Sequence, residues 1–167
     1  HLTTFADRTV TPIAGKARTI LNSVDPARLV PRARPALSLA GAVVGTAGLF
    51  RYKKGLVYLF KALASMNGDL DATLLLAGDY FSPEERDLHE RALADYGLAG
   101  RAVVTGAIPP DRMADYLQLF DVLVFPSLFS EGCPLSMLEG MALGKAVIGS
   151  RVAAIPATAR QRRPSRE

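Results

Sequence analysis

From residue 41 onward, short apolar runs alternate with helical patterns, and that alternation narrows the chain to one class of fold. Ala42-Val43-Val44-Gly45-Thr46-Ala47 reads as a buried strand. Leu56, Leu59, Phe60 and Leu63 then recur at the spacing of one helix face. Ala72–Ala77 reads as a second strand, stopped by Gly78-Asp79. Pro83 opens a helix with Glu84 and Glu85 in its first turn, where acids suit the helix dipole, and Gly97 ends it. Ala102–Thr105 is a third strand, and Pro109 and Pro110 open a helix with Met113, Tyr116, Leu117 and Phe120 on one face. Val122–Phe125, a helix from Pro134 to about Leu143, and a strand over Lys145–Gly149 complete the series. The runs are continuous rather than alternating, as in strands covered on both faces. The expectation is an α/β fold, a Rossmann-like doubly wound parallel sheet.

The flanks differ from this middle. Residues 1–40 carry Pro12, Pro26, Pro31 and Pro35, which allow a short strand near Ala17–Leu21 but no long helix; they read as an N-terminal strand and linker. The domain proper spans 41–156. Residues 157–167 lack apolar periodicity and read as a disordered basic tail. The chain begins at His1 rather than Met, so the true N-terminus is expected elsewhere.

Charge and cysteine content exclude several functions. The net charge of +4 suggests nucleic acid, but its location argues otherwise. Residues 41–150 hold nine Lys/Arg against thirteen acids, and the excess of Arg lies in the flanks. A nucleic-acid domain carries its basic stripe on the fold itself, so no nucleic-acid partner is expected. Cys133 is alone, so there is neither an internal disulfide nor a cysteine metal site. No apolar run approaches the roughly 18 residues of a membrane span, and no signal peptide is visible. A cytoplasmic setting is expected, with membrane association of a longer enzyme left open.

Ligands of doubly wound sheets bind beyond the carboxyl ends of the strands, so the loops there matter most. Gly48-Leu-Phe-Arg51-Tyr-Lys53-Lys54-Gly55 places three cations at a helix N-terminus, an arrangement that suits an anion bridging loop and dipole; a solvated basic loop fits the same residues. In the stretch from Pro126 to Glu139, Pro134 fits the first helical position, which makes Cys133 a poor cap and leaves the amides of Leu135 and Ser136 for a phosphate. Glu131 and Glu139 flank the same junction, and a carboxylate accepts well from a diol. Glu139 stands among apolar neighbours, where a buried acid needs a partner. Thr105-Gly106-Ala107-Ile108-Pro109-Pro110 could receive a flat base on its backbone, or be a plain turn. His89, in a charged helix, is expected to be exposed.

These loops resemble a family. Glu131-Gly-Cys-Pro-Leu-Ser-Met-Leu-Glu139-Gly-Met-Ala-Leu-Gly-Lys-Ala-Val-Ile-Gly-Ser150 is similar to the signature of the retaining "group 1" glycosyltransferases of GT-B fold: two glutamates separated by seven residues, then a Met-Ala-x-Gly-x-x-Val run. Asp121–Ser127, Lys54-Gly55, Leu75–Asp79, Val104–Ile108 and Leu21–Asp25 match in kind and order. The resemblance implies the C-terminal, nucleotide-sugar-binding half of the fold. It implies that Lys54 holds the donor diphosphate, that Glu131 meets the transferred sugar, and that Glu139 binds the ribose. The amides of Gly132, Cys133, Leu135 and Ser136 would contact sugar or phosphate, and the backbone of Ala107 and Ile108 would receive the base. The donor would be of UDP or GDP type, transferred with retention and without a metal or other cofactor.

The chain also departs from the pattern. Where the family has Gly-Arg, this sequence has Gly48-Leu49, and Arg51 is expected to replace the missing cation. Gly-Gly-Ile-Pro-Glu appears as Ala153-Ala-Ile-Pro-Ala157. The resemblance further implies that the acceptor-binding N-terminal domain is not in this chain, which would leave it inactive by itself and prone to self-association through an exposed interface. A stand-alone nucleotide- or protein-binding module of the same fold is the alternative.

Overall fold

The computed structural model describes residues 22–66, 70–129 and 131–159. The suggested strand at 17–21 and the tail beyond 159 lie outside them. Five parallel strands form one sheet in the order β3-β2-β1-β4-β5. They are β1 (Ala42–Phe50), β2 (Ala72–Tyr80), β3 (Ala102–Val104), β4 (Val122–Phe125) and β5 (Ala146–Gly149). The helices are α1 (Leu56–Ser65), α2 (Pro83–Asp95), α3 (Met113–Leu117), α4 (Leu135–Ala142) and α5 (Ile155–Ala159).

Strand periodicity divides the core into two layers. Val44, Leu74 and Leu76 face α1 and α2, packing with Leu59, Phe60, Leu63 and Leu93. Val43, Leu75 and Leu123 face the other way, onto Leu117, Phe120, Met137 and Ile155. The four α1 residues picked out by spacing are the four that α1 buries. Each fully buried side chain of this size contributes about 1.5–3 kcal/mol, so the two layers rather than helix propensity hold the helices in place.

The expected strand ends at Ala47 and Ala77 fall short. β1 and β2 stay paired through Gly48↔Gly78 to Phe50↔Tyr80. Gly48 and Gly78 adopt φ of +138° and +153°, and a Cβ on Gly78 would meet the Gly48 oxygen at 1.8 Å. The ladder continues because glycine accepts the positive φ at both positions and, at Gly78, the close approach of the Gly48 carbonyl.

Other boundaries shift for local reasons. Pro109-Pro110 does not start an α-helix directly; a 3-10 turn over Pro110–Arg112 leads into α3. Pro134 is the cap of α4 rather than its first residue: its ψ is 121°, and its carbonyl accepts from the amides of Met137 and Leu138. α5 runs across the expected boundary at residue 156, with Thr158 fully buried and its hydroxyl bonded to the Ala154 carbonyl. His89 is buried, not exposed: it is 1% accessible and stacks on Tyr80. Helical charge pattern alone hid the fact that this position faces Phe60 of α1 and Tyr80 of β2.

The linker is tied to the fold by Asp115 on α3. Its carboxylate accepts from the amides of Arg32 at 2.6 Å and Ala33 at 3.0 Å, and from Arg112. The Ala33 amide, the Arg112 guanidinium and the Arg32 amide hold its pKa down to about 2. A depressed carboxyl stabilises the fold above its ordinary value of 3.8 and loses that contribution as pH falls through about 2. The Arg32 and Ala33 amides are therefore expected to exchange faster as pH drops from about 4 towards 2, after correction for intrinsic rates. The same dependence in Asp115→Asn would disprove the assignment.

Candidate functional site

Strand order reverses between β1 and β4, and this is where a doubly wound sheet opens a crevice. The two strands pair only at Val44↔Val122 and Gly45↔Leu123, then diverge. Divergence leaves the Ala47 carbonyl without a strand partner, and the Ser136 hydroxyl at the start of α4 donates to it at 2.9 Å. A shallow depression opens at this fork, lined by Thr46, Gly48, Lys54, Pro126 and Ser127 among others.

The loops after β1 and β4 are joined across the crevice. Gly55 takes φ +67° between a 3-10 turn over Tyr52–Lys54 and α1. A Cβ there would lie 2.1 Å from the Pro126 oxygen. The Leu128 amide donates to the Lys53 carbonyl at 2.9 Å. These contacts place Lys54 beside Glu131, with Nζ 3.0 and 2.9 Å from the two carboxylate oxygens. Ser127, 2% accessible, donates its hydroxyl to Glu131 Oε2 at 3.1 Å. The Ser150 hydroxyl fixes the Ser127 carbonyl at 2.6 Å, and the Ala154 amide donates to the Glu131 carbonyl at 3.3 Å. The Glu131 side chain is 9% accessible and that of Lys54 25%, so this ion pair is sheltered from solvent and screened less than a surface pair.

α4 begins above the same fork. Its Pro134 cap has no side-chain bond, and the Leu135 and Ser136 amides have no acceptor among the described residues. Moving the cap from Cys133 to Pro134 leaves the expected free amides as they were. Cys133 instead holds its sulfur 3.4 Å from the Thr158 hydroxyl and accepts on its carbonyl from Asn22. Gly132 is exposed.

The other expected residues are less closely gathered. Arg51 places its guanidinium over the Phe81 ring, 3.6 Å from the centroid, rather than on the Lys54–Glu131 pair. Ala107 is exposed, and Ile108 packs against the second core layer. Leu49, Tyr52, Phe81, Phe129 and Leu135 stay exposed. Ser127 was passed over in the sequence because a serine after a strand carries no mark of burial. Among the described residues no group of three or more His, Cys, Asp or Glu side chains could hold a metal ion, and no helix is long and apolar enough to cross a membrane.

Glu139 lies in the second turn of α4, half-buried, and its carboxylate has no hydrogen-bond partner among the described residues. Burial pushes its carboxyl above the ordinary 4.5. A raised carboxyl makes the fold lose stability as pH rises from 4.5 through the folded value. Glu139→Gln is accordingly expected to raise Tm at pH 7 by about 1–2 °C, a modest effect because the group is partly solvated. The gain should vanish as pH falls to the ordinary value, and a thermal melt series from pH 4 to 8 checks it.

Residues 41–164 match the family described as "Glycosyl transferases group 1". A 2-deoxystreptamine glucosyltransferase of Streptomyces kanamyceticus is 32% identical over 92% of this chain, and the chain spans 42% of that enzyme. Sucrose-phosphate synthase of Thermosynechococcus elongatus superposes with a TM-score of 0.74 at 27% identity, covering 92% of this chain and 39% of its own. Anabaena HepE, solved in complex with UDP and glucose, superposes at 0.63 and 21% identity over 70% of this chain and 31% of its own, a likeness of fold. With a parallel α/β sheet, a match across most of its length and a relative of this identity, the chain belongs to the group 1 glycosyltransferases.

Proposed function

We propose that this domain binds the nucleoside-diphosphate sugar donor of a retaining transferase, and that transfer takes place against an acceptor held by a second domain. The observation that carries the reading is the sheltered Lys54–Glu131 pair at the fork, facing the uncapped start of α4. Departure of a nucleoside diphosphate concentrates negative charge on its oxygens. The free amides at the start of α4 are already in place for that charge, and the Lys54 ammonium meets it by turning from Glu131. Glu131 and Glu139 are carboxylates suited to sugar and ribose hydroxyls, and the backbone at Ala107 and Ile108 would receive the base. The reading needs no metal, because these groups do the neutralising. The sugar-transferring relative and the UDP-bound neighbour support a UDP-type donor.

Calorimetric titration with UDP, GDP and ADP tests the proposal. UDP is expected to bind, with ADP weaker. A folded chain that binds none of the three overturns it. Binding of UDP that does not depend on Lys54 would point to a nucleotide module of another design.

A further inference from the structure

We infer that Glu85, on α2, is a positioning residue for Lys54, acting as a cap supplied from outside the loop; the inference rests on the donor-binding reading above. The Tyr52–Lys54 turn starts at Arg51 with no side-chain cap of its own. Its first amide, that of Tyr52, donates instead to Glu85 Oε1 at 2.8 Å, across 33 residues of sequence. A carboxylate at this point satisfies an amide that the turn leaves open. It also places a negative charge beside a segment carrying Arg51, Lys53 and Lys54.

Two features show that Glu85 serves the loop and not only its own helix. Ser82 and Glu85 stand at the N-cap and third positions of α2, the spacing of a capping box, and the Glu85 amide does donate to Ser82 Oγ at 3.3 Å. The return bond of such a box would run from the Ser82 amide to the Glu85 carboxylate. Among the described residues the carboxylate turns to Tyr52 instead. Its second oxygen is buried without a hydrogen-bond partner, 3.9 Å from His89 Nδ1. An orphaned carboxylate oxygen destabilises a fold, so the side chain holds this place at a cost that a solvent-facing capping box would avoid. His89 completes the seat: its Nδ1 meets the Glu85 carbonyl at 2.6 Å, and its ring stacks on Tyr80.

The Tyr52 amide and Lys54 lie in one turn, closed by bonds from Lys54 N to Arg51 O at 2.8 Å and Gly55 N to Tyr52 O at 3.0 Å. Releasing the first amide loosens the turn that aims Lys54, whereas the base- and ribose-facing residues sit on other elements.

The test compares Glu85→Ala and Glu85→Gln with the wild type in two ways. In the ligand-free chain, amide exchange at Tyr52 is expected to quicken about tenfold in Glu85→Ala and to return most of the way in Glu85→Gln, which keeps an acceptor oxygen. By calorimetry, Glu85→Ala should weaken UDP about tenfold and leave uridine, which has no phosphate, within about twofold. Glu85→Gln should restore most of the UDP affinity. Equal losses for UDP and uridine, unchanged UDP affinity, or Tyr52 exchange unaltered in Glu85→Ala would each overturn the inference. If the wild type binds no UDP, the donor reading fails by itself, and the exchange measurement still decides whether Glu85 caps the turn.

Discussion

Gly55→Ala is expected to lower the unfolding free energy by about 3 kcal/mol and to displace Lys54 with it. Two costs add. The left-handed conformation at φ +67° is unfavourable for any residue with a Cβ, by about 1 kcal/mol. The new methyl would also sit 2.1 Å from the Pro126 oxygen, a backbone atom that cannot rotate away. Relief requires α1 and the loop after β4 to separate, which opens the Leu128–Lys53 bond and the crevice. Gly97 supplies the control. It has the same φ of +67°, but nothing lies within 4 Å of its Cβ position. Gly97→Ala should therefore show the conformational cost alone. Chemical denaturation of both variants measures the difference, and equal losses would mean that the two loops do not meet as described.

The second large effect is on ligand affinity. Lys54→Ala is expected to weaken UDP at least 30-fold, roughly 2 kcal/mol, as one charge-assisted contact to phosphate is lost. It should also destabilise the free protein, because the sheltered Glu131 carboxylate keeps Ser127 alone as its partner among the described residues. Glu131→Gln separates the roles. In the free chain Lys54 is held by Glu131 at 2.9 Å and must leave that carboxylate to meet a diphosphate. Neutralising Glu131 removes the competitor, so UDP should bind as well or severalfold better, while any preference for the sugar-bearing donor over UDP disappears. If Glu131→Gln loses UDP as severely as Lys54→Ala, the two residues do not divide phosphate and sugar between them.

The fold was legible because its signals are local and repeated. Leu56, Leu59, Phe60 and Leu63 mark α1 by spacing alone, and all four are buried. Val122–Phe125 is a strand at the residues expected. The errors have physical causes. Glycine reads as a strand stop, yet Gly48 and Gly78 continue the ladder at positive φ, with the Gly48 carbonyl closer to Gly78 than a side chain there would allow. Pro134 fits a first helical position by its φ but serves as a cap through its ψ. In the site, Lys54 and Glu131 were recognisable by motif. Their direct pairing across 77 residues was not, because no pattern within either loop encodes a contact between them. Ser127, Glu85 and His89 depend on burial from other elements, and only the assembled sheet supplies it. Ala153 was noted as standing where a glycine is usual, and its φ of +49° gives the reason for that usage.

The slender join between β1 and β4 bears on how the chain reaches this structure. β1, α1, β2, α2 and β3 follow one another in sequence; β1 and β2 pair over their whole length, β3 adds to β2, and α1 and α2 pack on one core layer. They form a unit contiguous in sequence that contains the most extensive strand pairing of the sheet. The segment from α3 to α5 attaches through two residue pairs between β1 and β4 and the opposite core layer. It should open first under native conditions and be regained last on refolding. The crevice would then exist only once the late segment has docked, so a nucleotide that binds there would act as a clasp between a robust half and a labile one. Native-state hydrogen exchange would reveal two tiers of protection, with the lower tier rising when the ligand is added.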